Sequence, residues 1–185
     1  MPEAAPRSAL LVMDIQPGIL DRAPDSAALL ARATEAVRAA RSQGVPVIHV
    51  VVGFRPGLPE ISAHNQSFGG LKQQPPAFLI DPRPVITPEG SDVVVTKRRV
   101  SAFSGSDLEV VLRGGEIRHL VLCGIATSGV VLSTLREAAD KDYKLTVLAD
   151  LCADPDAEVH SVLMSKVFPR QAQVTTAAEW LASAQ

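Results

Sequence analysis

Two cysteines, Cys123 and Cys152, are all this chain has, and their spacing fits neither a disulfide framework nor a metal site. That points to a reducing compartment, with the cytoplasm as the default. Charge of one sign is also missing. Eighteen Lys and Arg against 20 Asp and Glu leave a net charge of -2, so nothing draws the chain to nucleic acid or an anionic membrane. The four histidines, His49, His64, His119 and His160, are scattered without metal-ligand spacing, and neither a metal nor another cofactor is expected. No apolar run approaches the roughly 20 residues of a membrane span. Met1 to Ser8 lacks the basic-then-apolar build of a signal peptide. What remains is 185 residues, 46% hydrophobic and 21% charged, which predicts one domain over 1–185 with a sizeable core.

Short apolar, β-rich runs alternate with helical patterns. The runs are Ala9–Met13, Val45–Val52, Val93–Thr96, Ile117–Cys123, Leu145–Leu148 and a weaker Ala172–Thr175. Their near-continuous apolar character marks strands buried on both faces. Helical spacing covers Ser26–Gln43, Ser106–Arg113, Ser128–Lys141, Asp156–Val167 and Ala177–Ala184. Ser106 with Glu109 reads as a capping box. Strand-helix alternation predicts an α/β fold: a three-layer αβα sandwich around a six-stranded parallel sheet.

Between Gly53 and Ser91 the pattern breaks. Seven prolines, among them Pro56, Pro59, Pro75 and Pro76, forbid a long helix there. A connection this long leaves the C-terminal end of the second strand. It reads equally as a roof over the crevice where open sheets bind ligands and as a peripheral insertion for subunit contacts.

Asp14 ends the first run and points out of the sheet's C-terminal edge, where partial desolvation would raise its pKa and suit it to proton transfer. Capping the following loop is the alternative. Lys97 ends the third run and reaches the same edge, where it can hold Asp14 ionised or stabilise developing negative charge. Arg98 and Arg99 follow it, so a solvated basic run is the plainer reading. The stretch Gly124-Ile125-Ala126-Thr127-Ser128-Gly129-Val130-Val131 is a glycine-marked strand-to-helix turn, a place where α/β proteins carry reactive groups. Thr127 and Ser128 serve there as helix caps or as nucleophiles, though no histidine is adjacent in sequence. Cys123 and Cys152 read as structural thiols.

Taken in order and spacing, these pieces resemble the isochorismatase-like hydrolase superfamily, which includes nicotinamidases and N-carbamoylsarcosine amidases. The resemblance rests on Val12-Met13-Asp14-Ile15-Gln16, on Val95-Thr96-Lys97 with Ser101-Ala102-Phe103, and on Cys123-Gly124-Ile125-Ala126-Thr127. It continues through Thr134-Leu135-Arg136-Glu137-Ala138 and Asp150-Leu151-Cys152-Ala153-Asp154 to Glu158-Val159-His160. It implies a six-stranded parallel sheet, a homo-oligomer (dimer or tetramer), a small-molecule substrate, and an aspartate, lysine and cysteine triad. Asp14 and Lys97 match the first two members, while Val130 occupies the cysteine position. Valine has no nucleophilic atom, so the cysteine mechanism is excluded. The resemblance further implies that Gln16, Phe103, Ile125, Ala126 and Val130 line the substrate site. It also implies a cis peptide between Ile125 and Ala126 that aims backbone N–H groups at a substrate oxygen.

Three functional readings follow. True isochorismatases also lack the cysteine and cleave a vinyl ether by proton transfer, although glycine stands where Val130 narrows the pocket here. By that precedent Asp14 is an acid/base and Lys97 its electrostatic partner in cofactor-free hydrolysis. The second reading is a silent member that binds a metabolite or a partner protein. The third is an amide hydrolase in which Ser128 or Cys152 replaces the missing thiol.

Overall fold

The structure, a computed structural model, describes residues 6–73 and 75–183. In chain order its main elements are β1 (Ser8–Met13), α1 (Ser26–Ser42), β2 (Val47–Val52), α2 (Ala77–Ile80), β3 (Val93–Lys97) and α3 (Leu108–Gly114). They continue with β4 (His119–Ile125), α4 (Leu132–Asp140), β5 (Lys144–Ala153), α5 (Ala157–Val162), β6 (Gln173–Thr175) and α6 (Ala177–Ser183). All six strands are parallel, in the order β3-β2-β1-β4-β5-β6. The chain moves outward from β1 in both directions. Right-handed crossovers therefore put α1 on one face of the sheet and α4 and α5 on the other. The expected six-stranded α/β sandwich is the observed one.

Burial follows from this order. Leu10, Leu11, Leu120, Val121 and Leu122 in the two central strands are completely buried, because helices cover both faces. The edge strand β3 departs from the expected two-sided burial, with Val94 42% exposed. β2 begins at Val47, because Pro46 has no N–H to give a ladder. β5 runs on through Asp150 to Ala153, past a register shift between Leu122 and Gly124 on its β4 neighbour. Polar Asp150 hid that extension; its carboxylate accepts from the Ala177 N–H at the start of α6.

Two helical spans are subdivided. Residues Thr127–Val131 form a single π-helical turn before α4, and Leu163–Val167 form another after α5. The expected capping box forms only in part. Ser106 Oγ accepts from the Leu108 N–H, whereas Glu109 turns outward to Arg113 and Lys141. Two cations within reach outcompete a single backbone N–H.

One glycine is obligatory for the sheet. Gly124 sits at φ +143°, and a Cβ there would collide with the Met13 carbonyl oxygen across the β1–β4 pair. The strand that ends in the turn therefore passes β1 more closely than any side chain allows.

The long connection from 53 to 91 first covers the C-terminal end of the sheet, then descends to the N-terminal end, where Arg41 holds Thr87 and Asp92 before β3. It builds a small core of its own from Val52, Phe54, Leu58, Ile61 and Leu79. Phe54 and Phe68 meet edge-to-face, with ring centroids 5.5 Å apart. Polar ties fasten it down: the Val85 N–H donates to the Ile15 carbonyl at 2.9 Å, and Arg98 donates to the Gly53 carbonyl. Through Val85 it lies where a roof was expected, over the ends of β1 and β2.

Candidate active site

The apolar run of β1 gives out at Asp14, which adopts a left-handed φ of 56°, a conformation aspartate tolerates better than most residues. That turn swings its carboxyl group toward the end of β3. Oδ2 lies 3.0 Å from Lys97 Nζ, and the ammonium also donates to the Arg99 carbonyl at 3.0 Å. Both residues are almost fully buried, at 5% and 2% exposure. The second carboxyl oxygen, Oδ1, is buried and has no hydrogen-bond partner among the described residues. Burial pushes the Asp14 pKa up to about 6, even though the charge and hydrogen bond of Lys97 pull the other way. The group is poised to change protonation state near neutral pH.

Gln16, two residues on, is also fully buried. Its amide oxygen accepts from the Val52 N–H at 2.8 Å, and its amide nitrogen donates to the carbonyls of Val52 and Phe78 at 3.1 and 3.4 Å. Gln16 thus stitches the ends of β1 and β2 to the roof.

Across from Asp14, β4 ends in the turn. The Ile125–Ala126 peptide is cis. Thr127 is fully buried, and its hydroxyl pairs with His160 Nδ1 at 2.8 Å. The next N–H, that of Ser128, donates to Asp154 Oδ2 at 2.7 Å, while Asp154 Oδ1 accepts from the Asp156 N–H at 3.1 Å. Burial alone would raise the Asp154 pKa. The Ser128 and Asp156 donors, with His160 nearby, outweigh it and hold the carboxyl below its usual range. Two side chains from the β5–α5 segment therefore pin two successive residues of the turn. Val130 lies in the same turn and is 2% exposed.

The family model for the isochorismatase domain matches residues 8–179. The chain belongs to the isochorismatase family of hydrolases. It is similar to the isochorismatase family protein YecD of Escherichia coli O157:H7, 34% identical over 96% of each chain. It is also similar to the ureidoacrylate amidohydrolase RutB of Pseudomonas syringae pv. syringae, 33% identical over 77% of this chain and 69% of that one. Among solved structures, an isochorismatase family protein from Burkholderia thailandensis superposes with a TM-score of 0.84 at 32% identity, covering 97% of this chain and 96% of the other. The family model and the matches to YecD and to the Burkholderia structure span the whole αβα sandwich.

In this isochorismatase-family chain, the residues expected at the site divide into those that meet and two that do not: Phe103, and Gln16, whose amide is spent on Val52 and Phe78. Asp14 and Lys97 pair directly. Ile125, Ala126 and Val130 share the turn that ends β4. Phe103, expected to line the substrate site, lies elsewhere. Its ring centroid is 6.1 Å from that of Tyr143 and 5.5 Å from Lys141 Nζ, beside the loop that feeds the N-terminal start of β5. The cause is the preceding loop, which runs down α4: the Ala102 N–H donates to Thr134 Oγ1, and Ser101 Oγ donates to Glu137. That path carries Phe103 away from the crevice, to a ring and a cation that it can stack against.

The substitute nucleophiles fare poorly. Burial pushes the Cys152 thiol up to about 12, so it keeps its proton at neutral pH and is no nucleophile. The same burial holds the Cys123 thiol well above its ordinary range, and it donates to the Leu11 carbonyl. Ser128 is exposed, and the carboxylate beside it, Asp154, is held below the usual range by the Ser128 and Asp156 donors, which makes it a weak base for a hydroxyl.

Sequence reasoning missed the partners of the turn. His160 stands 33 residues from Thr127, and Asp154 stands 26 from Ser128. The one local signal was Asp156. It caps α5 by accepting from the Glu158 and Val159 N–H groups, and His160 follows one helical turn later. Arg98 and Arg99 are not a free basic run either, since both tie β3 to the roof. Among the described residues no group of three or more His, Cys, Asp or Glu is arranged to hold a metal ion.

Proposed function

We propose that this family member, acting as one domain over residues 1–185, hydrolyses a small molecule by proton transfer through Asp14. Lys97 is its electrostatic partner, and no cysteine intermediate forms. The observation that carries this reading is the orphaned Asp14 Oδ1, a buried acceptor whose sister oxygen is held by Lys97. A buried polar atom without a partner is rare, and at a strand end it marks where a substrate or its proton completes the bonding.

With a pKa near 6, Asp14 can give a proton to a leaving group or take one from an attacking water. Lys97 fixes the carboxyl in place and steadies it when charged. The Ser128 N–H is spent on Asp154. The N–H groups of Ala126 and Thr127 are left to meet a substrate oxygen as negative charge develops on it. Gln16 acts by holding the roof, and Ile125 and Val130 shape the apolar wall. The enzyme works in the cytoplasm as a homo-oligomer without a cofactor. Two buried free thiols and the exposed Val94, Val110 and Val162 support the compartment and the assembly.

RutB, named for ureidoacrylate, makes ureido and N-carbamoyl compounds the first substrates to try, with vinyl ethers and simple amides beside them. Screening them by turnover and by stabilisation against heat identifies a working substrate. With that substrate, Asp14→Asn is expected to lower kcat/KM by about 10²–10⁴-fold, and the wild-type pH profile to bend near pH 6. Turnover that survives Asp14→Asn unchanged removes Asp14 from the chemistry.

A further inference from the structure

The crevice rim above Lys97 carries more positive charge than its partners neutralise. Arg55, Arg98 and Arg99 all converge on one acidic residue of the roof, Glu60. Arg55 Nη1 pairs with its carboxylate at 2.6 Å, and Arg98 Nε lies 3.6 Å from the same oxygen. Arg99 reaches only its backbone: Nη2 donates to the Glu60 carbonyl at 2.8 Å and Nη1 to the Arg98 carbonyl at 2.6 Å. Three guanidinium charges thus face one carboxylate. Asp14 adds nothing to balance them, because Lys97 is already its partner. The chain as a whole carries a net charge of -2, so this local excess runs against its composition.

Arg99 is the member left without an anion. It is half-buried, and no carboxylate lies within 4 Å of it among the described residues. Both of its acceptors are neutral carbonyls, and of its five N–H donors three remain unspent. A partly desolvated guanidinium prefers a planar anion that it can grip with two parallel hydrogen bonds. Its own carbonyl accepts from Lys97 Nζ at 3.0 Å. Arg99 therefore stands one residue's reach from the Asp14–Lys97 pair, at the seam with the roof.

We propose that the substrate is an anion, and that a carboxylate on it, separate from the bond that breaks, pairs with Arg99 at this rim. Arg99 is then a specificity-determining residue. The proposal rests on the proton-transfer reading for turnover, but its binding half does not. A neutral carbonyl leaves the arginine's charge unspent, whereas a substrate carboxylate neutralises it and orients the labile bond toward Asp14 Oδ1.

The test uses matched pairs of ureido acids and their uncharged methyl esters or amides on the whole protein. The acid is expected to show a kcat/KM at least about 10-fold above its uncharged partner. Arg99→Gln should erase that preference through KM, by about 10–100-fold on the acid and little on the ester, while Arg99→Lys, which keeps the charge but not the planar grip, retains part of it. Equal use of acid and ester by the wild type overturns the proposal. So does an equal loss on both in Arg99→Gln, since that is what a purely structural tie to the roof would give. Where no compound is turned over, the proton-transfer reading has failed. The anion site is then read by binding: millimolar acid should raise the melting temperature of the wild type and of Arg99→Lys but not of Arg99→Gln, with the ester inert. A shift equal for acid and ester, or none with the acid, overturns it in that arm. Circular dichroism of Arg99→Gln confirms a folded protein, and Arg99→Lys carries the comparison if that variant is unfolded.

Discussion

The two ends of one sheet each bury a titratable group, and they treat it in opposite ways. At the N-terminal ends of the strands, His119 pairs through Nδ1 with the Ser8 hydroxyl at 2.8 Å and through Nε2 with the Thr146 hydroxyl at 2.9 Å. Both ring nitrogens are satisfied. Burial, with the charge of Lys144 nearby, lowers the ring's pKa to about 4 and keeps it neutral. A cavity of about 460 Å³ opens beside it, lined also by Arg7, Gln173 and Trp180. At the C-terminal ends, Asp14 is buried beside Lys97 with one oxygen unsatisfied. Volume marks one end and an unsatisfied carboxylate oxygen the other; His49 Nδ1, within β2, also lacks a partner among the described residues, but its ring is tied through Nε2 to Asp92. The proposed chemistry is assigned to the second end, because a satisfied buried group is already at rest.

That contrast can be broken most forcefully at the backbone. Gly124→Ala at the C-terminal end places a Cβ against the Met13 carbonyl oxygen at φ +143°, and we expect a loss of about 3–5 kcal/mol in chemical denaturation. Gly44→Ala at the N-terminal end meets nothing within 4 Å; only its φ of +71° opposes it, so about 1 kcal/mol is expected. Similar losses at the two sites would mean that the close β1–β4 approach does not exist.

Next comes the dependence of stability on pH, where the two groups have opposite signs. Asp14 is raised from 3.8 to about 6 on folding, so its contribution is complete below pH 3.8 and fades as pH rises through 6. His119 is lowered from 6.5 to about 4, so its contribution is complete above pH 6.5 and fades as pH falls toward 4. Relative to the wild type, Asp14→Asn should therefore gain stability between pH 4 and 7, and His119→Asn should lose it. Each change amounts to about 3 kcal/mol at most. Parallel curves for the two variants would show that one of these groups is not buried as described.

The smallest effect is expected on activity at the satisfied end. At pH 7.5, His119→Asn should cost about 1–2 kcal/mol of stability through its hydroxyl partners and leave kcat/KM within about twofold. A large loss of activity there would move the functional end of the sheet.

What was legible in the sequence was local. The four inner strands show as apolar runs because burial on both faces leaves little room for polar alternation, and Asp14 and Lys97 stand out as the first charges in runs of the sheet. Val130 is fixed by its place in the turn. What stayed hidden depends on contacts across many residues. Nothing near Thr127 announces His160, and nothing near Arg99 announces Glu60, 39 residues away. Phe103 misled for the same reason: an apolar aromatic next to a predicted site is drawn to it in sequence, while the path of residues 101–104 along α4 decides where it lands. The extension of β5 through Asp150 was masked because a single charge looks like a strand's end until its partner, the Ala177 N–H, is in place.

The cover over Asp14 has its own interior, grown from the last residue of β2 and held to the sheet by a few polar ties. Such a part is modular. Its packing is settled internally, so its surface can diversify under selection while the strands beneath keep their register. On the proposed function, a new specificity would need only that one insertion rewritten, with Asp14 and Lys97 left untouched.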